Sequence, residues 1–437
     1  MRCFVFATAI AAGLAIQVPH AGAAAPSVPA IDAPQLAALG PYAVGFDRLT
    51  LVQPDQPDVL AYDPATRTMP ARDRVLPVDI WYPSQVTLGA APVVYSGALT
   101  GEDGKDTPFT TPGVAVGGAR PVRGSFPLVI LAHGYGGTPA AMTWLAENLA
   151  SKGYVVVGPH FHDPAYGDLG GLVGPLSRRP LDIAFVAAQS QARALAMAGP
   201  FAGADPARVV LIGYSMGGYG VLTAAGAVLS PALAAATHGA LAPYVAGAAQ
   251  AAALKVSAIK AVVAISPAGL FGAGEAWGVE GMAGVTAPTL FIVGGQDHLV
   301  GYDPGVKTLW SQEINASRYL LTFENGGHSI GMNPAPDTMR GRLWDLDWWE
   351  DPVWRKERVI GIELHFITAF LDRYVRGDPT ANAYLDVPSP VSNNGAWPAE
   401  PRQSYAAFSP GLPPSTIWKG FQRAHSAGLE LRFAPGK

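Results

Sequence analysis

The chain has 437 residues, about half of them hydrophobic, a formal net charge of -4 and a single cysteine. That much apolar material can bury a large core, and the mild acidity leaves neither the basic footprint of a nucleic-acid-binding protein nor a polybasic patch for anionic membranes. Glycine and proline make up about a fifth of the chain, below the level of a low-complexity sequence, and no internal repeat is visible.

The first residues read as an export signal. Arg2 opens a short basic region, Phe4 to Ile16 form an apolar run too short to span a bilayer, and Ala21-Gly22-Ala23 offers a small-residue cleavage site. Residues 1–23 are therefore expected to be removed on the way to a secreted or periplasmic location. The cysteine, Cys3, precedes the apolar run, so the mature chain has no disulfide, thiol nucleophile or cysteine metal site, and no integral membrane segment. Residues 24–40 read as a linker.

From there residues 41–378 read as one catalytic domain. Tyr42 to Val52 and Val75 to Tyr82 alternate as antiparallel edge strands, and Gly97 to Ser125 reads as a long Gly/Pro/Thr-rich connection. Phe126 to Ala132 is an apolar strand that ends in His133-Gly-Tyr135-Gly-Gly. A helix over Ala140 to Lys152, a strand from Tyr154, a helix over Pro180 to Met197 and a strand from Arg208 continue a βαβα alternation. Such a pattern builds a parallel sheet covered on both faces. After a helix ending near Leu229, an Ala-rich insertion, residues 230–257, is expected to be helical and to cap the nucleophile. Strands at Ile259, Pro288 and Tyr319, a helix near Val306 to Ile314 and a closing helix over Val359 to Tyr374 complete the domain. Residues 379–437 read as an extension on the core, ending in the alternating Leu429-Glu-Leu-Arg-Phe.

Arg208-Val-Val-Leu-Ile-Gly-Tyr-Ser215-Met-Gly-Gly218 joins a buried strand to a helix through a Gly-x-Ser-x-Gly turn. A serine hydroxyl is a weak nucleophile. It needs exposure, a base within hydrogen-bond reach and N–H groups aimed at the oxyanion. A tight strand-to-helix turn provides the exposure and the helix N-terminus the N–H groups. Asp297 and His328 follow later strands, in the order Ser, Asp, His. Functional groups of a doubly wound sheet gather at those strand ends, so Ser215 is the expected nucleophile, His328 its base and Asp297 the residue that orients the imidazole. The oxyanion donors expected are the backbone N–H groups of Met216 and Tyr135. His133, His160, Tyr214, Trp344 and Trp348 are the candidate substrate-pocket residues, the tryptophans as an aromatic wall beside the cap.

With these residues in place, the chain resembles the α/β-hydrolase superfamily. More narrowly it is similar to the bacterial predicted dienelactone hydrolases related to platelet-activating-factor acetylhydrolases. The resemblance rests on Leu76-Pro-Val-Asp-Ile-Trp-Tyr-Pro, the Phe126 to Gly137 stretch, Leu145 to Val157, Arg179-Pro-Leu-Asp-Ile-Ala-Phe-Val, Gly213-Tyr-Ser-Met-Gly-Gly, Ile259 to Pro267 and Gly326-Gly-His, and covers most of residues 75–330. It implies an α/β-hydrolase fold: a mostly parallel doubly wound sheet with antiparallel N-terminal edge strands, a helical cap insertion and a C-terminal extension. Dienelactone hydrolases proper carry a cysteine nucleophile where this chain has Ser215. Tyr135 and Met216 also resemble the oxyanion pair of bacterial cutinases and polyester hydrolases.

The expected activity is that of a serine carboxylic-ester hydrolase working through an acyl-enzyme on a small-molecule ester, with no cofactor. A polyester or cutinase-like hydrolase, an acyltransferase, and a non-catalytic binding protein on the same fold are the alternatives. His160-Phe-His162-Asp163 superficially resembles a metal cluster but is read as pocket lining, with no metal expected. Gly134-Tyr-Gly136 lacks the third glycine of a dinucleotide loop, since position 139 is proline.

Overall fold

The computed structural model describes residues 34–100, 105–163, 169–271, 274–340, 348–396, 416–422 and 424–437. The expected signal peptide and Cys3 lie outside them. The N-terminal arm is two long strands, β1 (Ala43–Pro57) and β2 (Ala71–Ser84), paired antiparallel. The stretch expected to be an irregular connection contains a hairpin, β3 (Val94–Thr100) and β4 (Asp106–Pro112), and a short strand, β5 (Val116–Gly117). The hairpin forms because every few residues it supplies a buried apolar side chain. Tyr95, Leu99 and Phe109 pack into the core, and the Tyr95 hydroxyl donates to Glu147.

The alternating part follows as β6 (Phe126–Ala132), α1 (Thr143–Ser151), β7 (Val155–Pro159), α2 (Val173–Leu195), β8 (Ala204–Tyr214) and α3 (Met216–Ala225). Helix α2 begins at Val173 rather than at the expected Pro180. Proline inside a helix frees the carbonyl four residues back, and that carbonyl, on Leu176, accepts from the Tyr219 hydroxyl at 2.9 Å. Then come α4 (Pro231–Ala236), β9 (Ile259–Ile265), the small hairpin β10 (Leu270–Phe271) and β11 (Gly274–Glu275), α5 (Gly278–Met282) and β12 (Thr289–Gly294). The chain ends with α6 (Val306–Gln312), β13 (Arg318–Phe323), α7 (Lys356–Leu371) and β14 (Leu429–Ala434).

Ten strands form one sheet in the order β14-β13-β12-β9-β8-β6-β7-β2-β1-β5. Pairing is parallel from β7 through β13, while β2 runs antiparallel to β7 and β14 antiparallel to β13. The strand predicted at Val75 to Tyr82 is thus an interior strand, and the terminal Leu429 strand completes the far edge. Successive side chains alternate between two cores. On β8, Val210, Ile212 and Tyr214 face the α1 and α7 side, while Val209 and Leu211 face α2 and α3.

The insertion at 230–257 is less helical than expected. Only Pro231–Ala236 is α-helical; the remainder is mostly turns. It starts beyond the C-terminal end of α3, about 15 Å along that ten-residue helix from Ser215. It ends at Ala258, whose carbonyl accepts from Val209 near the start of the paired run of β8. At its start Ser230 donates to the carbonyls of Glu275 and Ala276, beside the β10–β11 hairpin that follows β9. Leu229, Leu233 and Leu241 are buried in the core on the α2 and α3 side of the sheet, and His238 stacks on Tyr62 at 4.4 Å. Among the described residues no helix is long and apolar enough to cross a membrane.

Candidate active site

Ser215 closes β8 and opens α3. Its backbone is left-handed, φ 54° and ψ -116°, a conformation rare outside glycine that lifts the side chain out of the turn. The turn is possible because its neighbours have no side chain. A Cβ on Gly213 would stand 2.3 Å from the Gly217 carbonyl oxygen, and one on Gly217 would stand 2.1 Å from that of Ala132. Backbone bonds hold the turn in the sheet, with the Ser215 N–H donating to Ile265 and the Ala268 N–H to Ser215.

Asp297 lies beyond β12 and His328 beyond β13, and the structure brings both to Ser215. His328 Nδ1 is 2.8 Å from Asp297 Oδ2, and Nε2 is 3.0 Å from Ser215 Oγ. The other Asp297 oxygen accepts from the N–H groups of Leu299 and Val300, each at 3.1 Å. Burial pushes the Asp297 carboxyl up, but the adjacent His328 and these donors outweigh it and hold the group below its ordinary value. An ionised Asp297 fixes the proton on Nδ1 and leaves Nε2 free to accept from the serine hydroxyl.

The His328 loop is anchored on both flanks. Tyr214, expected in the pocket, is buried instead: its ring lies 5.1 Å from that of His328 and its hydroxyl donates to the His328 carbonyl at 2.9 Å.

The loop after β6 stands on the other side of Ser215. A Cβ on Gly134 would be 3.3 Å from that of Ser215, so the backbone leading to Tyr135 runs beside the hydroxyl. Met216 opens α3, where the first N–H groups of a helix have no partner within it. His133 braces this loop rather than lining a pocket. It is 2 % exposed, its Nδ1 lies 2.7 Å from the Gly134 carbonyl, and Nε2 accepts from the Phe161 N–H at 3.3 Å. Burial, reinforced by Arg179, pushes its pKa well below the ordinary value, so it is neutral.

The segment 160–163, read as pocket lining, makes polar contacts of its own. His160 Nε2 lies 3.1 Å from Asp79, a buried carboxylate that also pairs with Arg48. Asp163 pairs with the buried Arg179 and accepts from the Gly136 N–H at 3.1 Å. Arg179 donates to the His133 carbonyl at 3.2 Å and covers the Phe161 ring at 3.7 Å. Arg179 and Asp163 thus tie the loop that follows β6 from both ends, a role that appears only once α2 is folded against it. Trp344 lies outside the described residues. Trp348 packs half-buried on the core, and Trp349 and Trp354 are buried within it, Trp349 against Phe109 at 5.0 Å.

No family model matches the chain, and no curated protein matches it. Among solved structures it is similar to a ferulic acid esterase from Streptomyces cinnamoneus, with 22% sequence identity, a TM-score of 0.50, and coverage of 80% of this chain and 94% of that one. Strand order, the tight strand-to-helix turn after β8 and this likeness agree: the chain has the α/β-hydrolase fold.

Proposed function

We propose that this protein is a serine carboxylic-ester hydrolase that works through an acyl-enzyme. The observation that carries the reading is the continuous relay from Ser215 Oγ through His328 to Asp297, with contacts of 3.0 and 2.8 Å. His328 Nε2 takes the hydroxyl proton as Ser215 Oγ attacks the ester carbonyl. The resulting oxyanion is received by the backbone N–H groups of Met216 and Tyr135, each such donor being worth about 10²–10³ in rate. The imidazolium, held by Asp297, returns its proton to the departing alcohol. A water then repeats the sequence, with His328 as base, to free the acid and regenerate Ser215. Nothing in this cycle calls for a cofactor.

The substrate is a small-molecule ester, and the esterase among the similar structures supports that class. The fine resemblance to dienelactone hydrolase-like and platelet-activating-factor acetylhydrolase-like enzymes belongs to the same proposal. So do export, with cleavage after Ala23, and catalysis in the periplasm or outside the cell. A panel of soluble aryl and alkyl esters graded in acyl length, with a hydroxycinnamate ester included, tests the reading. Hydrolysis of at least one ester that disappears in Ser215→Ala is expected. Equal turnover by the purified variant would overturn it.

A further inference from the structure

We infer that the segment 351–356 positions the catalytic base, with Lys356 as the positioning residue that holds the backbone just past His328. The inference rests on the esterase reading and adds to it a residue outside the relay.

The observations are geometric. The loop 327–329 is gripped from one short stretch of chain: Asp351 Oδ2 accepts from the Gly327 N–H at 2.6 Å, and the Lys356 ammonium donates to the Ser329 carbonyl at 2.6 Å. The grips lie one residue before His328 and one after it. The other oxygen of Asp351 accepts from the N–H groups of Val353 and Trp354, which fixes the segment before α7. The Lys356 residue is 3 % exposed.

A lysine at this place is otherwise unfavourable. It occupies the first position of a sixteen-residue helix, where the dipole repels a cation, and burying an ammonium is costly unless it is paired and bonded. An apolar residue would pack there more easily. What the ammonium adds is a charge-assisted bond to Ser329, stronger and more directional than a neutral one. A displacement of about 1 Å at a reacting group can cost about 10² in rate, so a bond that fixes the imidazole backbone is a catalytic asset even though it never touches substrate.

The titratable groups acting on Lys356 are Glu350 and Asp351 from the preceding segment and Glu357 and the fully buried Glu363 from α7, while His328 adjoins Ser329 in the gripped loop. Burial pushes the ammonium down to about 8, against the opposing pull of Glu350 and Glu363. Above that pH the grip loses its charge. The unfolded chain keeps the proton to the ordinary lysine value of 10.5, so between about 8 and 10.5 this group makes the fold more stable as pH rises. Activity and stability should therefore diverge there, which a merely structural lysine would not produce.

The experiment compares Lys356→Met, the double variant Lys356→Met/Glu363→Leu and the control Lys307→Met, an exposed lysine paired with Asp303. The double variant removes both buried titratable groups and keeps the comparison valid should the single variant fold poorly. Ester hydrolysis is followed from pH 6 to 10, with the uncatalysed rate subtracted and thermal unfolding measured alongside. The wild type should lose kcat as pH passes about 8 while remaining folded. The folded Lys356 variants should show a kcat about tenfold lower at pH 7, a KM within about twofold and no alkaline decline. A wild-type kcat with the wild-type alkaline limb in the folded double variant would overturn the inference. Ser215→Ala, run in parallel, separates the two failures: hydrolysis that survives it removes the esterase reading, whereas Ser215-dependent hydrolysis indifferent to Lys356 removes the positioning role alone.

Discussion

Ser215→Ala and His328→Ala are each expected to reduce kcat for ester hydrolysis by on the order of 10⁴ to 10⁶, and the double variant by no more than either alone. The reason for non-additivity is in the geometry: a hydroxyl 3.0 Å from Nε2 is a nucleophile only while the imidazole can take its proton, and the imidazole has no other task in the step. What survives should be the contribution of the oxyanion donors and of binding, so KM should change little. Asp297→Asn should cost on the order of 10⁴, because an amide no longer dictates which ring nitrogen carries the proton. Circular dichroism and thermal unfolding should place Ser215→Ala beside the wild type. Steady-state kinetics on the best ester of the panel provide the check, and losses that multiply in the double variant would mean that the two residues act separately.

Arg179→Leu should cost about 3–5 kcal/mol of stability, a large share of what holds a domain of this kind together. Arg179 and Asp163 are both buried, with side-chain exposures of 0% and 3%. Burial opposes the charge on each: it pushes the Asp163 carboxyl up and the Arg179 guanidinium down, and their pairing is the largest influence pulling them back. Removing the cation strands a carboxylate where water cannot reach it, and the Gly136 and His133 backbone loses its tether. Arg179→Leu/Asp163→Val should regain most of the stability, since a buried pair replaced by apolar groups is often neutral or better. It should still hydrolyse esters slowly, because the loop carrying Tyr135 is no longer held. Urea unfolding of the three proteins, with kcat on the same samples, reads both effects. A single variant as stable as the wild type would contradict the tether.

The relay was legible in the chain because each member comes with local grammar: a Gly-x-Ser-x-Gly turn after an apolar run, and an aspartate and a histidine just past later strands. The sheet was legible for the same reason, since continuous apolar strands leave few alternatives. What escaped was of a different kind. The β3–β4 hairpin was hidden by threonine and proline, and its pairing depends on Tyr95 and Phe109 finding α1 and Trp349, contacts far apart in sequence. Helix α2 was cut short at Pro180 because the group that takes up the freed carbonyl, Tyr219, comes 43 residues after Leu176. In the insertion the alanines suggest more helix than forms, because Gly239, Pro243 and Gly247 break it into turns. Tyr214 and His133 were assigned to the pocket from their closeness to the motif, whereas their rings point into the scaffold and hold backbone. Supporting residues such as Arg179, Asp163 and Lys356 act through main-chain atoms of other elements, and no motif announces such a contact.

Covalent trapping of the nucleophile tests the central claim most directly. Incubating the purified protein with a fluorophosphonate, which a serine activated by an imidazole attacks with loss of fluoride, should leave one phosphonyl group per chain. Peptide mass spectrometry should place it on Ser215, in step with loss of ester hydrolysis, and His328→Ala should label far more slowly. A protein that hydrolyses esters while Ser215 stays unmodified, or that carries the adduct on another serine, would contradict the account.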